Sequence, residues 1–154
     1  MYEEGYENIT NIDFSNTVIS YMDSKCKLRN PKMCFKVMDV LDLNEFREGD
    51  FNVVIDKGTL DCVLCGDISV SNANKMLSEV HRVLAPGGFY ICITYGEPKF
   101  RMDFFKKQQW TEICIDRVAK PSAMVSYINP EEHDVKNYHF VFTMQKPGLN
   151  KFKD

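Results

Sequence analysis

Two short, nearly continuous apolar segments, residues 51–56 (FNVVID) and 89–94 (FYICIT), bracket a stretch at residues 72–84. There Ala73, Met76, Leu77, Val80 and Leu84 recur at helical spacing. An apolar run without alternation suits a strand covered on both faces, which is the habit of parallel sheets. Two such strands joined through a helix require a crossover, and crossovers of this kind are right-handed in nearly every case. The pattern predicts an α/β fold, with residues 51–56 as a central strand. Ser69 or Ser71 is available to cap the intervening helix, and Ala85, Pro86, Gly87 and Gly88 stop it.

The rest of the chain extends the same architecture. Residues 8–14 alternate Ile9, Ile12 and Phe14 with polar residues and predict a strand, after which Ser15 supplies an N-cap signal. A helix is expected over residues 16–28, with Val18, Ile19, Met22 and Cys26 as its apolar stripe and Asn30-Pro31 as its end. Residues 33–38 read as the next strand, and residues 44–50 as a turn. Beyond residue 94 come a short helix near residues 100–107, an alternating strand at 110–118 and a final strand at 138–144 (YHFVFTM). The link between these last two strands, through Pro121 and Pro130, is polar and helix-poor, so they are expected to be antiparallel. One domain over residues 1–147 and a flexible tail at 148–154 follow. The opening MYEEGYE reads as the last turn of a helix capped by Gly5.

Composition excludes several function classes. A length of 154 residues with 44% hydrophobic content supports a single sizeable core. A net charge of −3 has the wrong sign for tracking a phosphate backbone, so nucleic acid is not an expected partner. No apolar run approaches a membrane span and no signal peptide opens the chain, which points to the cytoplasm and to no membrane partner. The six cysteines lie in apolar segments and read as reduced core thiols. Cys62 and Cys65 form a CxxC pair, but a zinc site needs a second pair or two nearby histidines, so no metal is expected. His81 falls in the helical pattern and reads as a partly buried, non-catalytic residue.

Five segments carry the chemistry: NIDFS at residues 11–15, VMDVLDL at 37–43, FNVVIDKGTLDCVL at 51–64, HRVLAPGGFYICIT at 81–94 and GEPKFR at 96–101. A carboxylate at the carboxyl end of a parallel strand, as predicted for Asp13, faces the ligand crevice and can accept two hydroxyl donors. Asp13 can equally serve as a helix cap, and Asp39 and Asp42 as turn residues. Asp56 can cap the next segment or, with Asp61, pair with Lys57.

Taken together, from about residue 3 to residue 146, these segments resemble the class I S-adenosylmethionine-dependent methyltransferases. DKGTLD and GEPKFR are similar to the subgroup of elongation factor 1-alpha lysine methyltransferases, which also covers a domain fused to endothelin-converting enzyme 2. The resemblance implies a Rossmann-like sheet, mostly parallel, with an antiparallel last strand. It also implies that Asp13, followed by Phe14, accepts the ribose hydroxyls of S-adenosylmethionine. Asp39 and the Val40 amide would meet the adenine edge, with Met38 packing on the base. Asp56, followed by Lys57 and Gly58, would stand near the sulfonium, its charge favouring that cation and orienting the incoming amine. On this reading Asp56 serves the reaction rather than the core, while Gly58 lets backbone approach the ligand.

The expected activity is transfer of a methyl group to a lysine side chain of a protein, elongation factor 1-alpha being the first candidate. Methylation of a protein terminus or a small molecule is the runner-up. The family's first strand and glycine loop have no counterpart in the sequence, whose eight glycines show no GxGxxG spacing. The sequence therefore also admits a non-catalytic interaction module, and this chain is expected to bind cofactor weakly and to be inactive alone. It is expected to pair residues 8–14 with 51–56, or to self-associate by recruiting a strand from a second copy at the exposed sheet edge. A nicotinamide-dependent oxidoreductase would share an acid at the position of Asp13 but does not account for DKGTLD.

Overall fold

The structure, a computed structural model, describes residues 1–120 and 137–149. They fall into two compact units, Met1–Asn44 and Glu45–Asp154. In the first, a 3-10 turn at Tyr2–Glu4 ends at Gly5, whose φ of 95° is the left-handed conformation that the sequence assigns to it. Strand β1 (Thr10–Asp13) then leads through helix α1 (Asn16–Cys26) to strand β2 (Cys34–Val37), which pairs parallel to β1 from Thr10 opposite Cys34 to Asp13 opposite Val37. Ser15 caps α1 as expected, its Oγ accepting the Val18 N–H at 3.3 Å. Of the predicted stripe on α1, Ile19 is buried while Val18 is exposed.

The second unit holds β3 (Phe51–Lys57), α2 (Thr59–Val63), α3 (Ser69–Val83), β4 (Leu84–Thr94), α4 (Pro98–Phe105), β5 (Glu112–Ala119) and β6 (Tyr138–Gln145). Its sheet has the order β3-β4-β6-β5. Strands β3 and β4 are parallel, and β6 runs against both β4 and β5, so the last strand is the reversed one. Of the predicted α3 stripe, Ala73, Met76, Leu77 and Val80 are buried as the spacing requires, whereas Leu84 is buried as the first residue of β4 and Val83 completes the helix face; Tyr90, Phe105, Phe142 and Met144 are buried with them. Each fully buried aliphatic or aromatic side chain of this kind contributes roughly 1.5–3 kcal/mol. Lys146 closes the carboxyl end of α3, donating to the carbonyls of His81 and Leu84 at 2.8 Å each.

Several expectations are corrected. Residues 51–56 do not form a central strand of the described sheet: β3 lies at its edge, and Val53 and Ile55 are 43% and 47% exposed. Strand geometry explains this, because alternate residues face opposite ways and the apolar run fills both faces although only one is covered. Within the units, β1 pairs with β2 and β3 with β4. Neither Ser69 nor Ser71 caps α3, whose N-cap is Ile68 with no side-chain bond. Helix α2 is too short to show a period, and the sequence pattern does not announce it. Cys92 is the buried member of the six cysteines; Cys34, Cys62, Cys65 and Cys114 are exposed, so they are not core thiols. The Pro121 and Pro130 link and residues 150–154 of the tail lie outside the described residues.

Between β3 and β4 the register passes from Phe51 opposite Leu84 to Val53 opposite Phe89. Residues 85–88 thus bulge against Asn52 alone, and the bulge presses Gly88 onto backbone. A Cβ at Gly88 would stand 2.8 Å from the carbonyl oxygens of both Ala85 and Asn52, which is why glycine occupies the position.

Candidate functional site

Parallel strands gather ligand-facing groups at their carboxyl ends, and each unit has one such end. In the first unit it assembles Asp13 and Phe14 after β1 with Met38, Asp39 and Val40 after β2; the Asp13 carbonyl accepts the Met38 N–H at 3.0 Å. Asp13 Oδ1 accepts the Ser15 N–H at 2.8 Å, so the residue does stiffen the strand-to-helix turn. Its Oδ2 has no partner among the described residues. Asp39 repeats the arrangement: Oδ1 accepts the Leu41 N–H at 2.9 Å, and Oδ2 is left over. The Val40 N–H likewise has no acceptor among the described residues. Phe14 is 84% exposed and Met38 is buried. One end of a two-stranded ladder therefore offers two carboxylate oxygens and an amide donor, with an open aromatic face beside them. That donor set fits a ribose diol and an adenine edge.

In the second unit Asp56 ends β3 and is only 5% exposed. Its Oδ1 accepts the Thr59 N–H at 2.8 Å, and its Oδ2 accepts the Leu60 N–H at 3.2 Å, the Tyr90 hydroxyl at 3.0 Å and the Cys92 thiol at 3.5 Å. Burial pushes both Tyr90 and Cys92 upward, so both stay protonated and act as donors to the carboxylate. The sequence placed Asp56 at the reaction and gave its capping role second place. The structure shows that it caps α2 and anchors the core. Gly58 follows with φ 81°, and a Cβ added there would meet no atom within 4 Å, so backbone conformation alone accounts for the glycine. Lys57 is exposed.

One residue turn further on lies a cluster that reading the sequence missed. Asp61 is 3% exposed; its Oδ1 accepts Arg101 Nη2 at 2.8 Å and the Thr94 hydroxyl, and its Oδ2 accepts the Tyr95 N–H at 3.2 Å. Thr94 Oγ1 in turn accepts the Gly96 N–H at 2.9 Å and Arg101 Nε at 3.2 Å. A Cβ at Gly96 would collide with the Arg101 guanidinium, so the glycine makes room for the ion pair. The strings DKGTLD and GEPKFR are thereby joined: the last acid of one is paired with the last base of the other. Gly96 was the sequence signal, a small residue placed where a planar cation must lie flat.

Beside this pair, at the carboxyl ends of β3 and β4, opens a cavity of about 290 Å³ bordered by Lys57, Gly58, Asp61, Cys65, Tyr95 and His139. Tyr95 presents an exposed ring, and its hydroxyl lies 3.9 Å from Cys65 Sγ, a contact that raises the phenol above its ordinary value. His81 is elsewhere. Its Nε2 bonds the Gln109 carbonyl at 2.9 Å and its ring meets Trp110 edge-on at 5.0 Å, which suits the structural reading.

A family model described as a methyltransferase domain matches residues 1–92. The chain is similar to the eEF1A lysine and N-terminal methyltransferase of Mus musculus, at 36% identity over 96% of this chain and 21% of the relative. It is also similar to EEF1A lysine methyltransferase 4 of Mus musculus, at 34% identity over 69% of this chain and 44% of the relative. The chain thus spans about a fifth of the length of the first relative and under half of the second. Among solved structures it resembles a Burkholderia thailandensis 1,6-didemethyltoxoflavin-N1-methyltransferase, with TM-score 0.69 and 15% identity over 95% of this chain and 64% of that one. It likewise resembles the N-methyltransferase NodS from Bradyrhizobium japonicum, with TM-score 0.66 and 12% identity over 92% of this chain and 67% of that one. At such identities these two likenesses concern the fold.

Proposed function

The chain belongs to the S-adenosylmethionine-dependent methyltransferase family, and from that premise we propose that the protein methylates a lysine side chain of a protein substrate, with elongation factor 1-alpha as the first candidate. The observation that carries this reading is the 36% identity, running through 96% of the chain, to a relative named for that activity. The meeting of DKGTLD and GEPKFR in the Asp61–Arg101 ion pair adds a physical reason why those two strings belong together.

When bound, S-adenosylmethionine supplies an electrophilic methyl group on a sulfonium. Asp13, with Phe14 beside it, is proposed to accept the ribose hydroxyls through its spare oxygen. Asp39 and the Val40 amide would serve the adenine edge, and Met38 its face. Asp56 would act through its charge, which donors of its own chain hold in place without neutralising it, and through the turn it fixes at Lys57 and Gly58. It is not a proton acceptor for the amine, because its oxygens are already engaged. No acid or base is otherwise required, since proximity and desolvation lower the barrier for attack by a neutral amine.

The name of the first relative also covers N-terminal methylation, so an α-amine is the second reading. Incubation of the full protein with labelled S-adenosylmethionine and elongation factor 1-alpha, followed by site mapping by mass spectrometry, separates the two. Label on lysine supports the first reading, label on the terminal amine the second, and label on neither defeats both. We place the protein in the cytoplasm, consistent with six free cysteines, and fractionation checks this. The exposed Val53 and Ile55 on β3 support self-association, for which concentration-dependent sedimentation is the test.

A further inference from the structure

The cavity beside Asp61 is about 290 Å³, just below the range of drug-sized ligand sites and suited to one long side chain. Its electrostatics are unusual for an amine site. A free carboxylate there would hold an amine as ammonium, which has no lone pair with which to attack carbon. Yet Asp61 on its border is already paired with Arg101. Lys57 adds a cation to the lining. The cavity therefore disfavours an ammonium and tolerates the neutral amine.

Tyr95 supplies the phenol ring of that lining, which also includes His139. Its N–H is held by Asp61, its hydroxyl faces Cys65, and the Arg101 guanidinium carbon lies 6.0 Å from its ring centroid. The backbone is thus fixed by Asp61 and the ring is in contact with Cys65 and Arg101, while 55% of the residue stays exposed. A fixed ring at the mouth of a slot without a free carboxylate is what the alkyl stem of a neutral amine needs in order to be aimed. We propose that this cavity admits the amine-bearing side chain of the methyl acceptor and that Tyr95 is the wall that orients it. This rests on the reading of the protein as a protein-amine methyltransferase.

Two readouts test it on the full protein. The first is KM and kcat for elongation factor 1-alpha with Tyr95→Ala and Tyr95→Phe. Tyr95→Ala is expected to raise KM about tenfold, the scale of losing one well-packed aromatic contact, with S-adenosylhomocysteine affinity unchanged. Tyr95→Phe keeps the ring and recovers most of the loss. The second readout needs no turnover. Cys62 and Cys65 are exposed and line the cavity, so Nα-acetyl-lysine methylamide at millimolar concentration should slow their alkylation by iodoacetamide in wild type and not in Tyr95→Ala.

Unchanged KM in Tyr95→Ala overturns the assignment, as does protection of the thiols by S-adenosylhomocysteine in place of the lysine probe. Methyl transfer to lysine with neither thiol protected removes the cavity assignment and leaves the proposed function standing. Protection without transfer does the reverse.

Discussion

Replacing Arg101 with methionine removes the guanidinium but keeps an apolar stem, and it leaves Asp61 with no counter-charge at 3% exposure. Breaking a buried pair from one side costs roughly 3–5 kcal/mol. The lower end applies here, because the Thr94 hydroxyl and the Tyr95 N–H still donate to the stranded carboxylate. About 3 kcal/mol is therefore expected, a large share of a typical total of roughly 5–15 kcal/mol. At about 2–4 °C per kcal/mol for a chain of this size, the melting point should drop by roughly 6–12 °C. Asp61→Asn in the same chain removes the unpaired charge, so the double variant should recover at least about 1.5 kcal/mol relative to additivity. Trp110 is the single tryptophan and makes a convenient probe: its indole donates to the Phe105 carbonyl at 2.9 Å and stacks on Tyr90 at 6.2 Å. Urea unfolding followed by its fluorescence gives each ΔΔG. A loss below about 1 kcal/mol for Arg101→Met, or losses that simply add in the double variant, would refute the claim that this pair organises the site.

Asp56→Ala should lower stability by about 1 kcal/mol for the lost cap and about 1–3 kcal/mol for the stranded Tyr90 hydroxyl, as well as depressing turnover. An unshifted thermal melt would show that the bonds to Thr59, Leu60 and Tyr90 carry no weight. Asp13→Ala should weaken S-adenosylhomocysteine binding in calorimetry by about 1.5–3 kcal/mol per lost bond to the carboxylate, while the melt moves little. Equal affinity in the two proteins would take Asp13 out of the cofactor site. For His81, burial pushes the imidazole below its ordinary 6.5, partly opposed by the Gln109 carbonyl. Folding thus favours the neutral ring, so this contribution to stability is complete above pH 6.5 and is lost as pH falls below that value. His81→Gln should flatten the acid side of the stability profile, and an unchanged slope in chemical denaturation between pH 7.5 and 5.5 would contradict it.

What the sequence made legible depended on range. The α3 stripe was readable because a helix buries what its own period places on one side, and Ala73, Met76, Leu77 and Val80 are all inside. The turn at Gly5 and the cap at Ser15 were readable for the same reason, being settled within four residues. By contrast, FNVVID announces a strand but not how many neighbours it has, so the exposure of Val53 and Ile55 could not be foreseen. Asp56 was placed correctly at a strand end, yet its saturation depends on Tyr90 and Cys92, more than thirty residues away. The partner of Arg101 lies 40 residues back along the chain, and arginine is a residue type usually left in water. Family resemblance drew attention to both strings, but only their packing shows that they form one device.

The strand order β3-β4-β6-β5 has a consequence for how the protein is made. Strand β6 is synthesised after β3, β4 and β5, yet it is the only described partner of β5 and the second partner of β4. Until residues 138–145 emerge, β5 lacks its partner among the described residues, and one flank of β4 waits uncovered. The described sheet therefore cannot form gradually along the chain, because β6 must insert between two strands that precede it in sequence. Such an ordering favours slow acquisition of structure and leaves the nascent chain dependent on protection from wrong pairing. A premature stop a few residues before Tyr138 would therefore forfeit far more than its length suggests.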